Sequence, residues 1–263
     1  MQIRRVLLSI FAAVACLSAM SAEQTKICAH RGHWLAPGSA QNSIRSLVKT
    51  DSVGADYMEM DVYMTPDGEL VVRHDAIING YKVIETDSKI LRAQKLENGE
   101  NLPSLAEILE AAKSLKVGLM IELEWCTSQE REIEEAKKCV NLVKEYGLTD
   151  RVVYISFSGT IVNTLALVTD RPVMYLFGEI RDPDYANKIG ATGCDFGNSD
   201  WSKHPEYFKR CKELGLAKGV WVLDGEDEIM KALEAGFEYI TTNEPELALR
   251  VRRQFEAKKN KQK

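Results

Sequence analysis

Between Ile27 and Asp75 the chain reads Ile27-Cys28-Ala29-His30-Arg31-Gly32, then Gln41-Asn42-Ser43, Glu59-Met60-Asp61, Thr65-Pro66-Asp67-Gly68 and His74-Asp75. The polar residues of this stretch sit at the ends of short apolar runs, as in a site built on strand ends. Tyr57 to Met64 alternates apolar and polar residues, and Val62 and Tyr63 favour a strand. Residues two apart on a strand share a face, so Glu59 and Asp61 project together. Two adjacent carboxylates repel; one takes up a proton or both share a cation. A hard divalent ion with oxygen ligands serves them best. A surface strand with two solvated acids would show the same pair. Against that, Met58 and Met60 on the opposite face are flanked by further apolar residues, and a strand covered on both sides leaves its acids little water.

His30 follows Lys26-Ile27-Cys28-Ala29, and His74 follows Glu69-Leu70-Val71-Val72-Arg73. A lone histidine is more often structural than catalytic. Two at strand ends, one beside Arg31 and one beside Asp75, are suited to divide base and acid roles near pH 7. Arg31 offers a planar fork that matches a phosphate.

Outward from this stretch, strand-like runs recur near Val117, Val152, Val173, Cys194, Val220 and Tyr239. Helix-like runs lie between most of them, among them 41–53, 104–115, 128–146, 205–214 and 227–235. Ser39 or Asn42 can cap the first, and Ser104-Leu105-Ala106-Glu107 after Pro103 is a capping-box pattern. Gly147, Gly215 and Gly236 stand where helices should stop. Alternating strands and helices imply parallel pairing. Eight strands at this spacing predict an α/β fold, a (β/α)8 TIM barrel, with a doubly wound sheet as the alternative. In a barrel, site residues lie at the C-terminal strand ends, which His30, Glu59 and Asp61 satisfy. The run Val117 to Trp125 is a further strand with acids, Glu122 and Glu124, near its end.

Residues 1–22 carry Arg4 and Arg5, an apolar run from Val6 to Leu17 and then small residues. They read as a secretory signal peptide, too short for a comfortable membrane span. Cleavage after Ser21 or Ala22 would give a secreted or periplasmic protein. Cys16 follows Ala13-Val14-Ala15, a poor lipoprotein box, so lipid anchoring is the less favoured reading. Loss of two arginines takes the net charge from -5 to -7. That balance argues against nucleic-acid and anionic-membrane partners, and no stable membrane insertion is expected after cleavage. Five cysteines then remain, an odd number without a Cys-x-x-Cys; Cys28 and Cys194 read as buried thiols, and no pairing is named. About 240 mature residues suit one barrel-sized domain, 23–255. The polar, aperiodic segment 76–101 reads as a long crossover or an insertion. Residues 256–263 form a basic tail expected to be solvated and disordered.

The ordered set His-Arg-Gly, Glu-x-Asp, Thr-x-Asp-Gly and His-Asp resembles the glycerophosphodiester phosphodiesterase family, over almost the whole mature chain. The resemblance implies that Glu122 completes a metal site with Glu59 and Asp61 for Ca²⁺ or Mg²⁺. It implies that 76–101 is a small insertion after the second strand region, covering the site as a lid or wall. It also implies metal-assisted cleavage of a small-molecule glycerophosphodiester to a 3-phosphoglycerol unit and an alcohol. His30 and His74 would be the acid–base pair and Arg31 a phosphate ligand. Trp221 would stand near the substrate and Ser156, of Ser156-Phe157, at a strand end beside the site. His33 and Trp34 would line the entrance. The chain departs from the pattern at Glu124, where the family usually carries Lys, and at Gln41, where Glu is more usual. Asn243 stands where Asp is common. A phospholipase C/D-like lipid phosphodiesterase and a non-catalytic phosphodiester-binding barrel are the alternatives. The acidic chain shows little sign of the basic or apolar membrane-contacting loops of the former, and retention of both histidines and all three carboxylates counts against the latter.

Overall fold

The computed structural model describes residues 24–261, so the expected signal peptide at 1–22 lies outside the described residues. In chain order the first half runs β1 (Lys26–Ala29), α1 (Ile44–Val53), β2 (Tyr57–Met64), β3 (Leu70–Val72), β4 (Ile77–Ile78), β5 (Tyr81–Lys82), α2 (Ser88–Leu91), α3 (Leu105–Ala112), β6 (Gly118–Leu123) and α4 (Gln129–Glu145). The second half runs β7 (Val152–Ser156), α5 (Gly159–Val168), β8 (Val173–Tyr175), α6 (Pro183–Lys188), β9 (Gly193–Gly197), α7 (Asn198–Lys203), α8 (Pro205–Leu214), β10 (Ala217–Trp221), α9 (Glu226–Ala235), β11 (Tyr239–Thr242) and α10 (Pro245–Lys261).

The apolar runs near Ile27, Tyr57, Val117, Val152, Val173, Cys194, Val220 and Tyr239 all become strands, pair in parallel, and close when β1 bonds to both β11 and β2. This is the (β/α)8 TIM barrel; closure excludes the doubly wound sheet. Strand β3 is not a barrel stave. It pairs antiparallel with β2, Val62 opposite Val72 and Met64 opposite Leu70.

Alternation along each strand separates two environments. Met58, Met60, Leu119 and Ile121 point outward into the apolar layer shared with the helices. Their neighbours point inward, where Cys28, Met120, Val153, Ile155, Met174 and Leu176 pack below the site. All five cysteines among the described residues are free thiols, with Cys194 and Cys211 in side-chain contact.

Two local expectations are corrected, and one segment gains detail. Helix α1 is capped by Ser43, not by Ser39 or Asn42: Ser43 Oγ accepts the Ser46 N–H at 2.9 Å. Asn42 is drawn away from that task because its side chain binds Asp61. The segment 76–101, read as a long crossover or an insertion, has structure of its own. It forms the β4–β5 hairpin and the single-turn α2, and its Ile78, Val83, Leu91 and Leu96 pack with Tyr63 and Val71 in a small apolar cluster of their own. The tail expected to be disordered continues α10 to Lys261. The helix is anchored upstream by buried Ala248, Leu249 and Val251 and by the Arg252 guanidinium on Asp56 at 2.5 Å. Lys258, Lys259 and Lys261 in its last turn complement the negative end of the helix dipole.

The capping box at α3 forms as expected, with the Glu107 N–H donated to Ser104 Oγ at 3.2 Å and the Ser104 N–H to Glu107 Oε2 at 2.9 Å. Ser104→Ala should lower unfolding stability by about 1 kcal/mol. A urea midpoint unchanged from that of the parent chain would show that the cap carries no such energy.

Candidate active site

The C-terminal mouth of the barrel opens into a cavity of about 730 Å³, lined by His30, Arg31, Glu59, Asp61, His74, Glu122, Glu124, Asp195 and Trp221 among others. Parallel pairing of β2 with β6 sets Asp61 directly beside Glu122. Glu59 lies two residues back on the same inward face. Oxygens of Glu59, Asp61 and Glu122 fall within 4.8 Å of one another.

This cluster is electrostatically costly. Burial, then the neighbouring Asp61, pushes Glu59 well above the usual carboxylate range. Burial, then Asp61 and Glu124, does the same to Glu122. Glu59 Oε2 accepts the Arg31 N–H at 2.8 Å, whereas Oε1 is buried with no hydrogen-bond partner. An oxygen-rich pocket with such an orphaned atom fits a hard divalent cation.

The turn after β1 is shaped around the same acids. Arg31 takes φ 56° and Gly32 φ 77°; a Cβ on Gly32 would lie 2.4 Å from Ser46 Oγ, so the second position requires glycine. The turn brings the Arg31 guanidinium between Gln41 Oε1, which accepts from Nη1 at 2.9 Å, and Asp61 Oδ2, 3.8 Å from Nε. Gln41 therefore holds the arginine without adding a charge. Asn42, itself at φ 57°, donates Nδ2–H to Asp61 Oδ2 at 2.7 Å and accepts the Asp61 N–H at 3.2 Å.

His30 and His74 face the same cavity. His30 Nδ1 lies 2.9 Å from Asn243 Oδ1. Burial, then the Arg31 charge, lowers the His30 pKa. His74 Nδ1 lies 3.0 Å from Asp75 Oδ1, and this bond, more than any other contact, holds Asp75 below its usual value. The short β3 strand delivers His74: the Arg73 N–H bonds the Asp61 carbonyl at 2.8 Å, and Tyr63 Oη donates to the His74 carbonyl at 3.2 Å.

Glu124 points into the cavity rather than turning out at a bulge. Its N–H extends the ladder to the Val62 carbonyl at 3.0 Å, and a carboxylate oxygen lies within 4.8 Å of ligand atoms of Asp61 and His74. Burial, then Asp61, pushes it up to about 7, against the pull of Arg31. Trp221 lines the wall, with Phe157 edge-on to its ring at 5.8 Å. Ser156 is a strand-end tie: its buried Oγ donates to the Leu123 carbonyl at 2.7 Å and accepts the Ser158 N–H at 3.0 Å. Neither His33 nor Trp34 lines the cavity; His33 Nε2 sits 3.6 Å from Glu246, and the Trp34 Nε1–H reaches Asn243. Ala76 and Ile77 are the part of 76–101 that touches the cavity.

Sequence reading missed Asp195. It is 1% exposed on β9, lines the cavity floor, and burial pushes it up to about 8. The signal was a lone acid in the middle of the otherwise uncharged run Gly193–Gly197. Asp224 was also missed; it sits behind Asn243.

Residues 30–247 match the model of the glycerophosphoryl diester phosphodiesterase family. This chain belongs to that family. Its members are enzymes that hydrolyse glycerophosphodiesters, so the fold, the enzyme class and the substrate class are those the motifs implied. A curated relative, a glycerophosphodiester phosphodiesterase of Caldanaerobacter subterraneus, is 27% identical, covering 87% of this chain and 98% of the relative. A solved glycerophosphodiester phosphodiesterase from Parabacteroides distasonis superposes with a TM-score of 0.84 at 37% identity, covering 88% of this chain and 98% of that one. The same barrel, at 20% identity and a TM-score of 0.74, occurs in a phosphodiesterase from Oleispira antarctica solved in complex with the product sn-glycerol-3-phosphate; the match covers 87% of this chain and 96% of that one. No helix among the described residues is long and apolar enough to cross a membrane.

The raised carboxyls set a pH dependence. A carboxyl whose folded pKa exceeds its unfolded value keeps a proton that the unfolded chain has released, so stability falls as pH rises between the two values. Glu124, at about 7, and Asp195, at about 8, extend that window from the ordinary carboxylate range to near pH 8. With chelator present, the melting temperature should be higher at pH 5 than at pH 8, and Ca²⁺ or Mg²⁺ should raise it more at pH 8. Equal shifts at both pH values would show that the acids are not held protonated in the folded chain.

Proposed function

We propose that this chain cleaves glycerophosphodiesters to glycerol 3-phosphate and an alcohol, using a divalent cation at Glu59, Asp61 and Glu122 and acid–base chemistry from His30 and His74. The observation that carries the reading is that both imidazoles face the cavity into which the three carboxylates converge. The product bound by the Oleispira antarctica relative is in keeping with it.

When bound, the cation supplies charge neutralisation and polarisation at a phosphoryl oxygen. Arg31, steadied by Gln41, binds another phosphoryl oxygen through its guanidinium. One histidine withdraws the proton from the attacking hydroxyl, whether of water or of the glycerol carbon next to the ester. The other protonates the departing alkoxide. Trp221 and Phe157 wall the alcohol, and Ala76 and Ile77 close the outer rim. Glu124, raised to about 7, stands where the substrate's phosphate must approach; when ionised it repels that phosphate, two unit charges 4 Å apart at an effective dielectric of 20 interacting by about 4 kcal/mol. The chain therefore depends on its cation for phosphate binding more than a relative with lysine at that position. Export to the periplasm or beyond belongs to this proposal and rests on the sequence of residues 1–22.

The test is release of glycerol 3-phosphate from glycerophosphocholine, glycerophosphoethanolamine and glycerophosphoinositol, with Ca²⁺, with Mg²⁺ and with chelator. His30→Ala and His74→Ala should each lose at least ~10²-fold in rate. Near-parental rates in both variants would remove the histidines from the chemistry, and release undiminished by chelator would remove the cation.

A further inference from the structure

We propose that Asn243, held by Trp34 and Asp224, locks His30 in the tautomer that carries its proton on Nδ1, so that Nε2 is the nitrogen that exchanges a proton with the substrate. Asn243 and Asp224 are positioning residues in this account, acting on the substrate only through His30. Its catalytic consequence rests on the function proposed above; the tautomer itself does not.

Trp34 Nε1–H is a donor without acceptor capacity, and it lies 3.2 Å from the Asn243 side-chain oxygen. Asp224 is a carboxylate that only accepts. Its Oδ2 takes the Asn243 Nδ2–H at 2.8 Å, while its Oδ1 takes the Asn243 backbone N–H at 2.8 Å and the Thr242 hydroxyl at 3.1 Å. Turning the amide over would set N–H against N–H at Trp34 and oxygen against oxygen at Asp224. Two independent contacts therefore fix Oδ1 toward His30, and an amide oxygen can only accept. At 2.9 Å, His30 Nδ1 must be the donor.

Neutral His30 consequently has its lone pair on Nε2. On taking a substrate proton there it becomes an imidazolium with N–H on both nitrogens, and the Nδ1–H bond to Asn243 persists through the transfer. The three loops involved follow β1, β10 and β11, so the lock is assembled by barrel closure.

The identities at 243 and 224 are matched. An aspartate at 243 would set two carboxylates 2.8 Å apart, with no donor between them. Exchanging both residues would restore a donor–acceptor pair and still present an acceptor oxygen to His30. This interdependence separates a lock from ordinary packing.

The test uses the full chain labelled with ¹⁵N-histidine, whose four histidines give a tractable two-bond ¹H–¹⁵N spectrum. The His30 signal is assigned by its loss in His30→Gln. In the parent chain at a pH where His30 is neutral, Nδ1 should show the shift of a protonated nitrogen and Nε2 that of a bare one. Asn243→Leu should scramble the two forms, and Asn243→Asp should perturb them. The double exchange Asn243→Asp with Asp224→Asn should restore the parental pattern. A parental His30 protonated on Nε2, or a tautomer unchanged in Asn243→Leu, would overturn the proposal. Kinetics add a second reading: Asn243→Leu should lower kcat at least ~10-fold with KM changed by less than ~3-fold, since the histidine is misoriented while the phosphate contacts stay. An equal fall in the double exchange would also count against the lock. Absence of any hydrolysis by the parent chain would defeat the reaction and leave the spectrum to decide the tautomer.

Discussion

Parallel pairing of β2 with β6 places Asp61 against Glu122, one alternation above Glu59, and most of the site is arranged around that crowding of negative charge. Buried carboxylates persist only when something compensates them, and the compensation here is shared. Arg31 and Asn42 each leave the ordinary backbone regions to reach these acids, one through its N–H to Glu59 and the other through its amide to Asp61. Even so, Glu59 Oε1 is left without a donor. The cluster leaves room for a positive charge that the side chains alone do not supply, which is what recommends the cation in the proposed reaction.

Barrel closure performs the second task. His30, at the end of the first strand, is held by Asn243 beyond the last, and β1 pairs with β11 from Lys26 to Ala29. The first and last barrel strands thus meet behind the His30 imidazole. His74 arrives by a different route, on a short antiparallel strand that is no part of the barrel wall but is tied to Asp61 and Tyr63. One histidine is positioned by the fold as a whole and the other by a local hairpin. Loosening 76–101 would therefore disturb His74 before His30.

Much of this was legible in the sequence because barrel strands are short apolar runs and the site acids interrupt them. Glu59 and Asp61 betray their shared face by a spacing of two, and Ser104 with Glu107 announces its helix. Other features depend on contacts between segments far apart in the chain. Asn42 looks like a helix cap by itself; only its distance to Asp61 shows why Ser43 does the capping instead. The last helix was hidden by its lysine-rich end; its anchoring residue upstream, Arg252, pairs with Asp56 just before β2. Trp34 read as an entrance residue, and its bond to Asn243 crosses more than two hundred positions. Asp195 was the visible signal that went unread.

The central claim is that Glu59, Asp61 and Glu122 form one cation site, and calorimetric titration of the chelated, purified chain with Ca²⁺ and with Mg²⁺ tests it most directly. The account predicts saturable binding of one ion per chain, weakened at least ~10-fold in Glu59→Gln, a variant that keeps the side-chain shape and removes one ligand charge. No saturable binding of either ion, or an affinity unchanged by Glu59→Gln, would contradict it.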